Sequence, residues 1–141
     1  MMKKFIYFAP AFAWGIFIFI LSVLPGQDLP HYDWGDLVSI DKCVHIVFYA
    51  LFTWLVLRGI KKLNPRQNWV MLGLIVALST SAFGWFIEWL QENYCQNRMF
   101  DWFDGLANMV GAGVAFGAFI YRKNIIKHLH NKQLLRKKSV I

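Results

Sequence analysis

Charge is scarce in this sequence. Asp, Glu, Lys and Arg make up only 16% of its 141 residues, where ordinary soluble domains carry about 25%. The chain is instead 57% hydrophobic, with seven Trp and thirteen Phe, the composition of an integral membrane protein. Cysteine is nearly missing. Cys43 and Cys95 alone supply neither a disulfide framework nor a cysteine-based metal motif. There is no His-Glu-x-x-His run and no serine in a nucleophile-elbow context. Zinc-protease and serine-hydrolase chemistry therefore have no sequence support. No internal repeat or low-complexity tract interrupts the chain.

Long apolar runs take the place of charge. Phe5 to Leu24 holds 20 uncharged residues, about the length that crosses a bilayer. A secretory signal peptide is the rival reading, but the run is longer than a signal core and V-L-P-G lacks an A-x-A-like cleavage site. A retained transmembrane helix is expected, with Pro10 bending it or marking its start. A loop from Pro25 to Ile40 follows, in which Tyr32 and Trp34 suit a membrane interface. Lys42 to about Gly59 reads as a second span and Gly59 to Asn68 as a basic loop. Trp69 to Leu90 reads as a third span, whose Gly73, Ala77 and Ser81 recur every four residues and invite close helix approach. Trp102 to Tyr121 reads as a fourth, with a weaker close-packing signal in Gly113 and Gly117. The expected fold is all-α: a four-helix transmembrane bundle over residues 1–121. Residues 122–141 follow as a basic, partly helical cytoplasmic tail.

The charges that do occur are segregated. Thirteen of the 15 Lys and Arg lie before the first span, around the second loop or in the tail. All eight acidic residues fall on the other side of the spans, with only Lys42 and Arg98 as basic company. The positive-inside rule then puts both termini in the cytoplasm. A basic tail against anionic membrane lipid accounts for the net charge of +7 without nucleic acid.

The acidic side carries the unusual pattern. Asp41, His45 and Tyr49 are spaced by four along the second helix, with Lys42 beside them. Glu88 and Gln91 share a face near the end of the third. From Arg98 onward, Asp101, Asp104 (or Gly105), Asn108 and Gly111 follow at steps of three and four, placing them along one helical face. Asp101 and Asp104 also fit a helix cap and its acidic third position. Arg98 is the expected ion-pair partner of Glu88, because an unpaired carboxylate near hydrocarbon is costly. Cys43 and Cys95 are on this side too, either oxidised together or as two free thiols.

These ten residues form the candidate ligand-binding set: Asp41, Lys42, His45, Tyr49, Glu88, Gln91, Arg98, Asp101, Asp104 and Asn108. His45, Glu88 and Asp104 are candidate acid–base residues. Asp41, His45, Glu88, Asp101 and Asp104 are candidate ligands for a divalent cation.

The combined pattern Asp41-Lys42-x-x-His45-x-x-x-Tyr49, Glu88-x-x-Gln91 and Arg98-x-x-Asp101-x-x-Asp104-x-x-x-Asn108-x-x-Gly111 resembles the VanZ-like family of small bacterial membrane proteins. The resemblance covers roughly Phe5 to Tyr121. Gly105 and Met109 depart from the apolar and small polar residues usual there. The resemblance implies a multi-pass protein of the bacterial cytoplasmic membrane, and its founding member is associated with resistance to the glycopeptide teicoplanin. Three functions stay open. One is binding of a glycopeptide or envelope-lipid ligand at the outer face, with Lys42 and Arg98 meeting anionic groups. Another is an acid–base or metal-dependent enzyme acting on an envelope lipid or precursor. The third is a polar network that only holds helices together. Reporter fusions test the topology: those at Asn64 and Ile141 should read cytoplasmic and those near Asp33 and Asn97 external. A cytoplasmic Asp33 would refute it.

Overall fold

Pro10 decides where the first helix begins. Its ring lacks an N–H and would clash with the carbonyl four residues earlier, so an α-helix cannot run through it from Phe5. The computed structural model, which describes residues 2–24, 38–95 and 98–138, has a short 3₁₀ turn over Met2–Tyr7. Helix α1 then starts at Ala9 and runs to Val23, with Pro10 in its first turn, where a missing donor costs nothing. The single 20-residue helix expected from the sequence is thus divided. Three more helices follow: α2 (Val38–Leu63), α3 (Trp69–Tyr94) and α4 (Trp102–Lys138). Among the described residues there is no strand.

α2, α3 and α4 are long and apolar enough to cross a membrane. At 1.5 Å per residue, α1 alone covers only about 22 Å. With the 3₁₀ turn before it, it still reaches both ends of the bundle. Tyr7 and Phe8 pack against Gly59 near the end of α2, while the Ser22 carbonyl at the other end accepts a hydrogen bond from Gln91 of α3. The bundle is an up-down-up-down arrangement of four helices. Many large apolar side chains face outward, including Phe12, Ile16, Val70 and Met71. Water would penalise such a surface and hydrocarbon would not.

Several boundaries differ from expectation. α2 extends through Lys61 and Lys62, so the second loop shrinks to a short turn. It ends at Asn68, whose side chain caps α3 by accepting from the Met71 N–H at 3.4 Å. α4 runs unbroken into the basic tail as far as Lys138, because the sequence there includes no Pro or Gly to stop it. The expected interface residues Tyr32 and Trp34 lie outside the described residues.

Small residues set the spacing of the helices. Gly73 of α3 seats the Phe116 ring, with Ala77 and Ser81 buried further along the same stripe. Gly111 of α4 lies directly on the Ile46 carbonyl of α2, where an added methyl group would overlap backbone. Ala107, Ala112 and Ala115 continue that buried seam. Gly113 and Gly117 do not contribute to it: among the described residues nothing lies within 4 Å of where their side chains would be. They occupy the opposite side of α4, since the seam already uses the Asn108, Gly111 and Ala115 stripe. Between α2 and α3, Thr53 donates to Thr80 Oγ1 (2.7 Å), which passes its own hydrogen to the Val76 carbonyl.

Gly111→Ala should therefore lower stability by about 1–3 kcal/mol, the usual cost of overpacking. Gly113→Ala should be neutral or stabilise by up to about 1 kcal/mol through helix propensity. Thermal melts in detergent distinguish the two, and equal losses at both positions would contradict the seam.

Candidate functional site

The N-terminal turns of α2, the C-terminal turns of α3 and the start of α4 meet at one end of the bundle. Antiparallel neighbours joined in this order must bring these three termini together. Asp41, Lys42, His45 and Tyr49 come from α2, Glu88 from α3, and Asp101, Asp104 and Asn108 from α4.

Asp101 starts α4. Its carboxylate accepts from the Phe103 N–H at 2.7 Å and its carbonyl from the Gly105 N–H at 3.2 Å, as an N-cap should. Burial pushes this carboxyl up, but hydrogen bonds from the Lys42 ammonium and the Phe103 N–H outweigh it and hold it below the usual carboxylate range. Its contribution to stability is intact at neutral pH and is lost only as acid takes the pH through that lowered value. In a capping box the acidic residue three positions on would reach back to the cap N–H. Here Glu88 of α3 takes that role: its Oε2 accepts from the Asp101 N–H at 3.4 Å. Asp104 is freed to turn inward.

Lys42 is what Asp104 meets. The Lys42 ammonium bonds Asp101 Oδ2 at 2.7 Å, contacts Asp104 Oδ1 more closely still, and lies 3.4 Å from Asp41 Oδ2. This ion cluster joins α2 to α4. The expectation that Lys42 meets anionic ligand groups is not matched by this geometry, since its ammonium is already engaged by three carboxylates. The expected Glu88–Arg98 pair is also absent: among the described residues Arg98 makes no ion pair, and its buried Nε has no partner. Arg98 precedes the cap in non-helical chain, so the helical spacing that aligned it with Asp101 and Asp104 does not apply. The segment it belongs to is held by aromatic packing, with Phe100 stacked on Trp85 at 5.6 Å and Trp102 against both. Gly105 suits this place because a side chain there would strike Trp85.

His45 is fixed from one side. Its Nδ1 lies 3.0 Å from Asn108 Oδ1. A carboxamide oxygen only accepts, so Nδ1 carries the hydrogen. The other nitrogen, Nε2, faces Asp104 Oδ2 at 3.5 Å and Asp41 Oδ1 at 4.0 Å. The donor atoms of Asp41, His45 and Asp104 lie within 4.8 Å of one another. Asp41 is exposed, so this side opens outward.

Deeper in, Asn108, Glu88 and Tyr49 are almost wholly buried, at 1%, 2% and 2% exposure. The Tyr49 hydroxyl has no hydrogen-bond partner among the described residues. Gly84, one helical turn before Glu88, makes this depth accessible, since a side chain there would collide with Asn108 and Tyr49. Sequence reading passed over Gly84, although its four-residue step to Glu88 was a usable signal. Gln91 stands apart from the cluster and ties α3 to the Ser22 carbonyl of α1 at 3.0 Å. Both cysteines are free thiols.

No protein-family model matches the chain, and neither a curated protein nor a solved structure matches it.

The pairing pattern gives a direct test by double-mutant cycle. Lys42→Met and Asp104→Asn should each cost about 1.5–3 kcal/mol, as hydrogen bonds to charged groups do. The double variant should cost clearly less than their sum. Glu88→Gln and Arg98→Gln should combine additively. Coupling between Glu88 and Arg98 larger than that between Lys42 and Asp104 would overturn the arrangement.

Proposed function

We propose that this chain is a VanZ-like protein of the bacterial cytoplasmic membrane. Its acidic, extracytoplasmic end binds a positively charged ligand group, and both termini lie in the cytoplasm. The observation that carries this reading is the charge balance of the cluster. Asp41, Asp101 and Asp104 surround a single ammonium, with buried Glu88 behind them. The side of His45 not held by Asn108 faces two of these carboxylates. Such an excess of electron-rich oxygens favours an added proton, metal ion or ligand ammonium. Lys42 and Asp101 give the site its shape, while Asp41, His45 and Asp104 supply the binding atoms.

A divalent cation fits this donor set. Ions held at about 2.0–2.2 Å need ligand atoms within roughly 4.2 Å of each other. The His45–Asp104 and His45–Asp41 separations of 3.5 and 4.0 Å meet that, and with all three donor atoms within 4.8 Å of one another a small inward turn of the exposed Asp41 carboxylate would complete the set. Asn108 would orient the imidazole, as hydrogen-bonded outer partners of metal-bound histidines do. When bound, the ion would supply a Lewis acid. The enzyme reading gains support from the same feature: an imidazole fixed at Nδ1 and open at Nε2 can exchange a proton with an envelope lipid or precursor. Lowered sensitivity to teicoplanin-like glycopeptides is the physiological expression that the family resemblance implies.

His45→Gln and Asp41→Asn test the reading together. Both should leave the melting temperature of the purified protein nearly unchanged. Both should abolish a thermal shift produced by Zn²⁺ or Mn²⁺ in chelator-treated wild type, and any gain in teicoplanin tolerance that the wild type confers on a sensitive bacterial host. If loss of function instead tracks loss of folded protein, the cluster is structural and the binding assignment is withdrawn.

A further inference from the structure

The opposite end of the bundle holds a second charged site of the other sign. A cavity of about 500 Å³ lies between the last turns of α2 and the middle of α4. Its walls are Arg58, Lys61, Lys62 and Arg122, with Trp54 and Phe119 as the apolar side. Arg58, Lys61 and Lys62 are spaced three and four apart, so one face of α2 presents all three. Arg122 faces them from α4.

Among the described residues these four cations have no carboxylate to pair with. Along the two helices, the nearest acidic residues are Asp41 and Asp104, roughly 25 Å away at 1.5 Å per residue. Among the described residues, none of the four forms a salt bridge. Three of them rest on aromatic faces instead, Lys62 Nζ lying 5.2 Å from the Tyr7 ring centre. Lys61 Nζ lies 5.4 Å from the Phe119 ring centre, and Arg122 Cζ lies 5.8 Å from that of Trp54. Cation–π contact offsets a modest part of the cost of gathering like charges. An anion placed among them would offset far more, and an Arg fork suits the geometry of a phosphate.

We infer that this cavity is a binding site for the phosphate headgroup of an anionic phospholipid. A lipid fits better than a soluble phosphate because one wall is aromatic and the cavity opens beside the apolar spans. Basic pockets between transmembrane helices hold anionic headgroups in this way. The site lies at the far end of the bundle from the acidic cluster and does not depend on the function proposed for that cluster.

The test uses the full chain in a choline-headgroup detergent. Phosphatidylglycerol, cardiolipin, phosphatidylcholine and inorganic phosphate are added separately, with melting temperature and bound lipid by native mass spectrometry as readouts. The anionic lipids should raise the melting temperature and stay bound, while phosphatidylcholine should do neither. Arg58→Gln combined with Arg122→Gln should weaken anionic-lipid binding at least tenfold. Lys61→Gln, which leaves both guanidinium groups in place, should weaken it less. A control with the same loss of charge at exposed positions outside the cavity, Arg66→Gln with Lys132→Gln, should change binding by less than twofold. Equal loss in the control would reduce the effect to general surface attraction and overturn the site. Equal stabilisation by phosphatidylcholine would overturn it too. Stabilisation by inorganic phosphate matching that of the lipids would keep the phosphate chemistry and reject the lipid as its source.

Discussion

An ammonium at the edge of a hydrocarbon layer must find carboxylates, and Lys42 does so across two helices. Its bonds to Asp101 and Asp104 fasten the start of α2 to the start of α4. Asp101 is at once the cap of α4 and a ligand of this ammonium, so the point where α4 begins and the place where it docks are set by one side chain. Glu88 completes the arrangement by accepting the cap's own N–H. Three helix ends are thereby tied at one membrane level, which is what brings His45 within reach of Asp41, Asp104 and Asn108.

That polar end needs close backbone contact beneath it. Gly111 lying on the Ile46 carbonyl lets α4 approach α2 without an intervening side chain. Gly84 does the same for Asn108 and Tyr49 one layer from Glu88. Apolar attraction cannot drive this association in lipid, because the surrounding tails are as apolar as the helices. Small residues and satisfied hydrogen bonds such as Thr53–Thr80 supply it instead.

The two ends divide the charge. Carboxylates, with one engaged lysine, form a cluster open to one side of the membrane. Arginines and lysines that pair with no carboxylate among the described residues surround a cavity on the other. The segregation that orients the chain in the bilayer also leaves each end with unbalanced charge, and each imbalance favours a ligand of the opposite sign.

Much of this was legible in the residues. The three long spans followed from hydropathy. The cap at Asp101 followed from its place before an apolar run, and the gathering of Asp41, His45, Glu88, Asp104 and Asn108 from spacing and the parity of the helices. Those features depend on local periodicity and chain connectivity, which sequence records directly. Which charge pairs with which did not follow. Arg98 looked like the partner of Glu88 because it is near in sequence and opposite in sign. Glu88 instead accepts from the Asp101 N–H, and the ion pairs of this end go to Lys42, some 60 residues from Asp101 and Asp104, because only the rotation of α2 against α4 determines which cation points inward. The same rotation left Gly113 and Gly117 unused and made Gly111 indispensable. It also set four basic residues from α2 and α4 around one cavity. The sequence by itself determined the helices, their order and the charge of each end. The tertiary structure alone decided the pairings, because helix rotation and depth are set by packing between distant segments and leave no local trace in the chain.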